Sequence, residues 1–283
     1  MRPVLEIGGT HVTAAMADPG GAGVTARASR RLDAQGSAEK ILGSVISCAA
    51  GLPAPPGDVW GVAVPGPFDY VRGIGLFEGV GKFESLRGVD VGAALRGGLP
   101  RRPSGMVFLN DAHAFLLGEW HAGAARSHAR CAGITLGTGV GSAFLADGSP
   151  QTDGRGVPPQ GRVDLLQLDG RPLEESVSRR AIRERYGDAR LDVDGIASRA
   201  RSGEGRARGV LDEAFTALGG VLAPYLASFG ASVLVVGGSM TGSWDLIGPA
   251  LRAGLGDTPV TVRTSRLTGD AALVGAAVAA AAK

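Results

Sequence analysis

Cysteine is almost absent from this chain: Cys48 and Cys131 are the two in 283 residues. Each lies in an apolar segment with no metal-like spacing, so a disulfide framework and a cysteine-ligated metal are excluded. Both read as small core residues of a reducing compartment. Neither sign of charge dominates, with 29 basic against 27 acidic side chains and a formal net of +2. Nucleic acid is therefore not an expected partner, because phosphate binding needs concentrated Lys and Arg. The pairs Arg30-Arg31, Arg101-Arg102 and Arg179-Arg180 are scattered and read as solvated surface. No run of about eighteen uninterrupted apolar residues offers a membrane span. Met1-Arg2-Pro3 passes almost directly into a strand, without a secretory signal, and the expected location is cytoplasmic. What the chain has in quantity is glycine, 47 residues, and the places where these glycines fall are informative.

The stretch Val107-Phe108-Leu109-Asn110-Asp111 reads as a short buried strand, and Ala112 to Trp120 as the helix after it. Asn110 and Asp111 fall at the junction, where an open α/β sheet delivers its last side chains to the ligand edge. A carboxylate there can take a proton from a substrate hydroxyl while the neighbouring amide orients a second hydroxyl. The alternative is that Asp111 merely caps the helix.

Glycine hairpins stand on either side of this junction. Val4 to Asp18 reads as strand, turn, strand around Gly8-Gly9-Thr10, and Ala132 to Leu145 does so around Gly137-Thr138-Gly139. Glycine tips leave backbone N–H groups unshielded, and such groups can receive phosphate oxygens. A plain hairpin is the other reading of either one. Glu6, just below the first tip, is placed to hold Mg²⁺ directly or through water. Because each hairpin opens a run of α/β elements, the chain carries a weak internal repeat, which predicts two similar lobes. Further helices are expected from Ser37, over 89–99, over 173–186, over 204–229 with an interruption at Gly219-Gly220, from about Trp244, and over 269–283. Between Phe68 and Asp90 no period is visible, and an irregular excursion is expected. Val233 to Val236 is a buried strand running into Gly237-Gly238, a turn where a flat heterocycle can lie against backbone.

Taken together, these segments resemble the ROK family (repressor, open reading frame, kinase), above all its sugar kinases. Glu6-Ile7-Gly8-Gly9-Thr10 is similar to the family's first phosphate motif, in which Asp usually stands in place of Glu6. Asn110-Asp111-Ala112 matches the catalytic segment, Leu136 to Gly141 the second phosphate motif, and Val236-Gly237-Gly238-Ser239 the adenosine motif. The resemblance implies a two-lobed actin-like, hexokinase-like (ribonuclease H-like) α/β ATPase fold with a central cleft. The expected lobes are 1–110 and 111–269, with the helix at about 270–283 a candidate to pack on the first. It also implies ATP- and Mg²⁺-dependent phosphorylation of a hydroxyl on a sugar or sugar-like molecule, and a homodimer. Asp111 is then the general base and Asn110 binds the neighbouring hydroxyl. Gly8, Gly9, Thr10, Gly137, Thr138, Gly139, Gly237 and Gly238 hold the nucleotide.

Several positions depart from the family pattern. Arg162 stands where the family has a zinc-binding His, and the zinc cysteines are missing, so no zinc is expected. Arg162 can reach an acceptor oxygen or form a structural ion pair. Glu174 aligns with the last sugar-binding Glu, or is a solvated Glu at a helix start. Lys82 and Phe83 occupy the loop where the family shows Asn and Trp near the sugar, so hexoses, aminosugars and cyclitols are all open as acceptors. Polyphosphate-using relatives also lack the cysteines, which leaves the donor open between ATP and polyphosphate. Two other functions remain: a non-catalytic sugar-binding regulator and a degenerate kinase. Family repressors place a helix-turn-helix before the first phosphate motif, and here only five residues precede Glu6.

Overall fold

The computed structural model describes residues 1–283. Contacts divide it into two compact units, Met1–Gly123 with Gly269–Lys283, and Ala124–Thr268. In the first unit the chain forms β1 (Arg2–Ile7), β2 (His11–Ala17), β3 (Val24–Arg31), α1 (Ala38–Ala49) and β4 (Val59–Val64). It continues through a small hairpin, β5 (Phe68–Asp69) and β6 (Ile74–Gly75), to α2 (Val91–Gly98), β7 (Gly105–Asn110) and α3 (Asp111–Ala122). The second unit opens with β8 (Arg130–Leu136), β9 (Val140–Ala146), β10 (Ser149–Pro150), β11 (Gln167–Leu168) and β12 (Arg171–Pro172). Helices α4 (Glu174–Val177), α5 (Arg179–Tyr186), α6 (Val193–Arg201) and α7 (Gly205–Phe229) follow. It ends with β13 (Val233–Gly237), α8 (Trp244–Leu255) and β14 (Thr261–Thr264), after which α9 (Ala271–Ala281) returns to the first unit.

Both sheets are built alike. The first has the order β3-β2-β1-β4-β7 and the second β10-β9-β8-β13-β14. In each, an antiparallel meander supplies three strands and two further strands join in parallel. Parallel strands covered on both faces become nearly continuous apolar runs, as in Trp60 to Val64 and Val233 to Val236, all buried. On one face of the first sheet lies α1, started by Ser37, whose hydroxyl accepts from the Lys40 N–H. Its Ile41, Val45 and Cys48 follow the helical period and share a core with Val12 and Ala14. Against the other face α9 packs Leu273, Ala276 and Ala277 on Val4, Ala15 and Ala17.

The glycine pair at 219–220 does not interrupt α7, contrary to the expectation from sequence. The helix is continuous, and a Cβ at Gly219 would stand 2.4 Å from the Leu251 carbonyl oxygen of α8. That glycine permits close approach of two helices, which outweighs its poor helix propensity. By length and composition α7 could cross a membrane, but Leu211, Phe215, Leu218 and Leu222 are fully buried in the core of the second unit. Cys48 and Cys131 are both buried thiols.

Candidate active site

Strand β7 runs parallel to β4, with Asn110 opposite Val64, and ends where α3 begins. Asn110, not Asp111, is the N-cap: its Oδ1 accepts from the N–H groups of Ala112 at 3.0 Å and His113 at 3.3 Å. The Asn110 Nδ2 donates to the Tyr70 hydroxyl at 3.1 Å, and that hydroxyl donates to the Val64 carbonyl at 3.4 Å. One amide hydrogen of Asn110 is left for a ligand. Tyr70 is a member of this network that sequence reading misses, because it sits in the aperiodic excursion.

Asp111 occupies the first helical position. Its Oδ1 accepts from the Ala112 N–H at 2.9 Å. Burial raises its pKa above the usual carboxylate value, while the Lys82 charge and the Ala112 N–H work in the opposite direction. The side chain nevertheless keeps partial contact with solvent. Such a carboxyl is set apart by its surroundings and still reachable.

Glu6 lies on β1 between Thr13 of β2 and Ala63 of β4. Burial, then the Asp111 charge, push its pKa up to about 7, with Asp270 adding to the rise and Arg27 opposing it. Arg27 is bound to Asp270 and to the Gly269 carbonyl. A consequence for stability follows from proton linkage. Unfolded Glu6 loses its proton near 4.5 and folded Glu6 near 7, so between these the native state holds more protons. Its contribution is fully present below pH 4.5, falls as pH rises and is gone above about 7. The loss should be on the order of 2 kcal/mol after allowance for partial solvent contact. Glu6→Gln should therefore raise the melting temperature at pH 7.5 but not at pH 4.5, with no ligand or divalent metal present. Parallel melting curves for the two proteins across that range would contradict the assignment.

At the first glycine tip Gly8 donates its N–H to the His11 carbonyl at 2.8 Å, and Gly9 and Thr10 are exposed at the turn. The Cδ of Lys82 lies 3.9 Å from where a Cβ on Gly9 would stand. Phe83, by contrast, is in the core, fully buried at a centroid distance of 5.2 Å from Phe77. Of these two neighbouring loop residues, apolar burial draws the Phe83 ring inward.

In the second unit the Gly137 N–H donates to Gly139 at 3.1 Å, closing the turn and leaving Thr138 exposed at its tip. A Cβ on Gly139 would come within 2.4 Å of Glu174 Oε1, so Glu174 stands directly behind this turn. Gly238, with φ +91°, lies against the Leu136 backbone, where a Cβ would be 2.3 Å from the carbonyl oxygen. Gly237 pairs with Thr135, and Ser239 Oγ is 4.0 Å from where a Cβ on Gly137 would stand. The second phosphate-like turn and the glycine turn after β13 are therefore neighbours. Arg179 joins them through its N–H to the Gly137 carbonyl at 3.3 Å, and its guanidinium pairs with Asp192. The Arg179 side chain is on the surface, as expected, and its backbone ties α5 to the turn. Arg162 forms a two-pronged ion pair with the buried Asp164. A larger open groove of about 700 Å³, lined by Arg30, Arg31 and Lys40 of the first unit, touches none of these residues.

No group of three or more His, Cys, Asp and Glu side chains converges as a metal site. Mg²⁺ needs less, since it is held by one or two carboxylates together with waters and substrate phosphates. Glu6 fits that pattern as a single carboxylate on β1 with the Asp111 carboxyl nearby.

The family model described as ROK family matches residues 4–283. The chain is 30% identical over 252 residues to a glucokinase of Thermotoga maritima, covering 77% of each. Among solved structures, a ROK family glucokinase from Streptomyces griseus in complex with glucose and AMPPNP superposes with a TM-score of 0.75. It shares 24% identity, over 98% of this chain and 97% of that one. An inorganic polyphosphate/ATP-glucomannokinase from Arthrobacter sp. strain KM does so with a TM-score of 0.72 and 26% identity, over 100% and 99%. These likenesses give the chain the two-lobed actin-like α/β fold.

Proposed function

The chain belongs to the ROK family, and from that premise we propose that it is a sugar kinase, transferring a phosphoryl group from ATP to a hydroxyl of a sugar or sugar-like molecule. The observation that carries the reading is the placement of Asp111. It sits where a parallel strand ends and α3 begins, partly open to solvent, and Asn110 and Tyr70 fix the backbone around it. Phosphoryl transfer asks little covalent chemistry of a protein, so positioning and charge control dominate.

Asp111 accepts the proton of the acceptor hydroxyl as its oxygen attacks phosphorus. Asn110 offers its remaining amide hydrogen to the adjacent hydroxyl. The turn at Gly9 and Thr10 in the first unit, and separately the turn at Thr138 and Gly139 in the second, offer backbone N–H groups of the kind that receive phosphate oxygens. Gly237 and Gly238 give the nucleoside a surface of bare backbone beside the second turn. Mg²⁺, when bound at Glu6, supplies charge neutralisation to the phosphates. In the second unit Glu174 stands behind Gly139, and Arg162 is held by Asp164.

A panel of hexoses, aminosugars and cyclitols, each with ATP-Mg²⁺ and separately with polyphosphate, tests the reading through ADP release and the phosphorylated product. Turnover confined to one acceptor class supports it and names the substrate. Saturable sugar binding without any transfer, from either donor, would instead make the protein a sugar-binding regulator.

A further inference from the structure

The loop before Phe83 is unusually well anchored for a surface segment. Glu84 accepts from the N–H groups of Val80 at 2.8 Å and Gly81 at 3.0 Å, and these bonds hold its carboxyl below the usual range. Phe83 takes a left-handed conformation with φ +59°, donates its N–H to the Ala34 carbonyl at 2.7 Å and buries its ring completely. Gly79 and Gly81 also have positive φ, the conformation that lets the chain fold back on itself. Lys82 is the residue between these anchors. The frame leaves its side chain only partly exposed, with Cδ beside Gly9.

Other cationic or potentially cationic groups near Asp111 are already engaged or uncharged. Arg27 is bound to Asp270 and the Gly269 carbonyl. His11 shares a hydrogen bond with Thr10 Oγ1 at 3.0 Å. Burial lowers the pKa of His113, which keeps it neutral at pH 7 and above. Lys82 has no ion pair, yet its charge reaches Asp111 and favours the ionised carboxylate against the effect of burial. The acidic groups facing this region are Glu6, Asp111 and the already paired Asp270.

We propose that Lys82 is a catalytic residue whose ammonium neutralises the phosphoryl group in flight between the donor and the hydroxyl activated by Asp111. This inference rests on the kinase reading, and it differs from the role of acceptor ligand that the loop's position in the family implies. In the step, the acceptor oxygen forms its bond to the γ-phosphorus as the bond from that phosphorus to the bridging oxygen of ADP breaks. The hydroxyl proton goes to Asp111, and Lys82 keeps all its protons throughout. Its work is electrostatic. A fixed charge beside the phosphate turn and near the base needs no reorganisation as charge shifts onto the equatorial oxygens. The anchored loop keeps the ammonium fixed in that position.

The test compares wild type, Lys82→Met and Lys82→Arg with a neutral acceptor and ATP-Mg²⁺. Lys82→Met should lower kcat by about 10²–10³-fold, the usual cost of one transition-state donor, with acceptor KM within about threefold. Lys82→Arg should recover most of the loss. In Lys82→Met the acidic limb of the kcat profile should also move to higher pH, because Asp111 then ionises with less help. Unchanged melting temperatures would show that folding is not the cause. An intact kcat, or a loss confined to acceptor KM or to anionic acceptors, overturns the proposal in favour of an acceptor ligand. Should the wild type transfer to no acceptor, the kinase reading itself fails. Inorganic tripolyphosphate binding, measured by calorimetry, then decides on Lys82 alone: equal affinity in wild type and Lys82→Met overturns its role at phosphate.

Discussion

Asp111→Asn should lower kcat by about 10³–10⁴-fold, near the upper end of what a positioned base contributes, while nucleotide affinity stays within about threefold of wild type. The substitution is nearly isosteric. Asn at this position can still accept from the Ala112 N–H through its side-chain oxygen, so the start of α3 and the Asn110 cap should persist. What it cannot do is take a proton. Stability gives an independent reading, because burial makes the ionised Asp111 costly. The raised pKa means that this cost is felt above the ordinary carboxylate range and absent below it. Asp111→Asn should therefore melt higher than wild type at pH 8 and close to it at low pH. Turnover within tenfold of wild type would remove Asp111 from its role, whatever the melting curves show.

Gly275→Val should be the most damaging single change to the first unit. A Cβ at Gly275 would stand 1.9 Å from the Ala114 carbonyl oxygen and 2.9 Å from the Gly118 N. Gly118 is equally confined, 2.0 Å from the Ala271 carbonyl oxygen by the same construction. Helices α3 and α9 thus touch backbone to backbone, and neither neighbour is a flexible side chain that could swing away. Overpacking alone costs about 1–3 kcal/mol, and backbone displacement adds to it, so a loss of about 4 kcal/mol or more is expected. The comparison is Gly43→Ala on the solvent face of α1, where a Cβ meets nothing within 4 Å. That change should stabilise by about 0.5–1 kcal/mol through propensity alone. Urea titration followed through Trp60, buried in the first unit, and Trp244, in the second, can separate the two transitions. If Gly275→Val leaves the first transition in place, α3 and α9 do not pack this closely.

Much of the scaffold is legible because its signals are local. Ser37 before Ile41, Val45 and Cys48 announces α1, and the glycine tips at Gly8-Gly9 and Gly137 to Gly139 fall between strands as their sequences indicate. Where glycine serves a distant partner, local reading fails. The pair Gly219-Gly220 looks like a break until Leu251 is seen across from it. Strand β14 is short, half-exposed and at a sheet edge, so Thr261 to Thr264 carries little apolar pattern. Helix α6 does carry a cue, Asp192 as N-cap before Val193, Ile196 and Ala197, yet it is missing from the helices expected on sequence grounds. Around the candidate site, the junction at Asn110-Asp111 can be read from the strand and helix on either side. The charge relation between Glu6 and Asp111, the Tyr70 bond to Asn110 and the Phe83 anchor for Lys82 cannot. Each depends on strands or loops far apart in sequence meeting at one sheet edge.

Helix α9 carries a consequence for biosynthesis. The first unit takes its closing face from residues 269–283, whereas the second is one uninterrupted segment, Ala124–Thr268. During translation the later unit has all of its own chain before the earlier one does. Until residues 269–283 emerge from the ribosome, Val4, Ala15 and Ala17 have no Leu273 or Ala277 to rest on, and that apolar face of β1 and β2 stays uncovered. A released fragment of residues 1–268 should thus protect the second sheet from protease while the first remains open to cleavage.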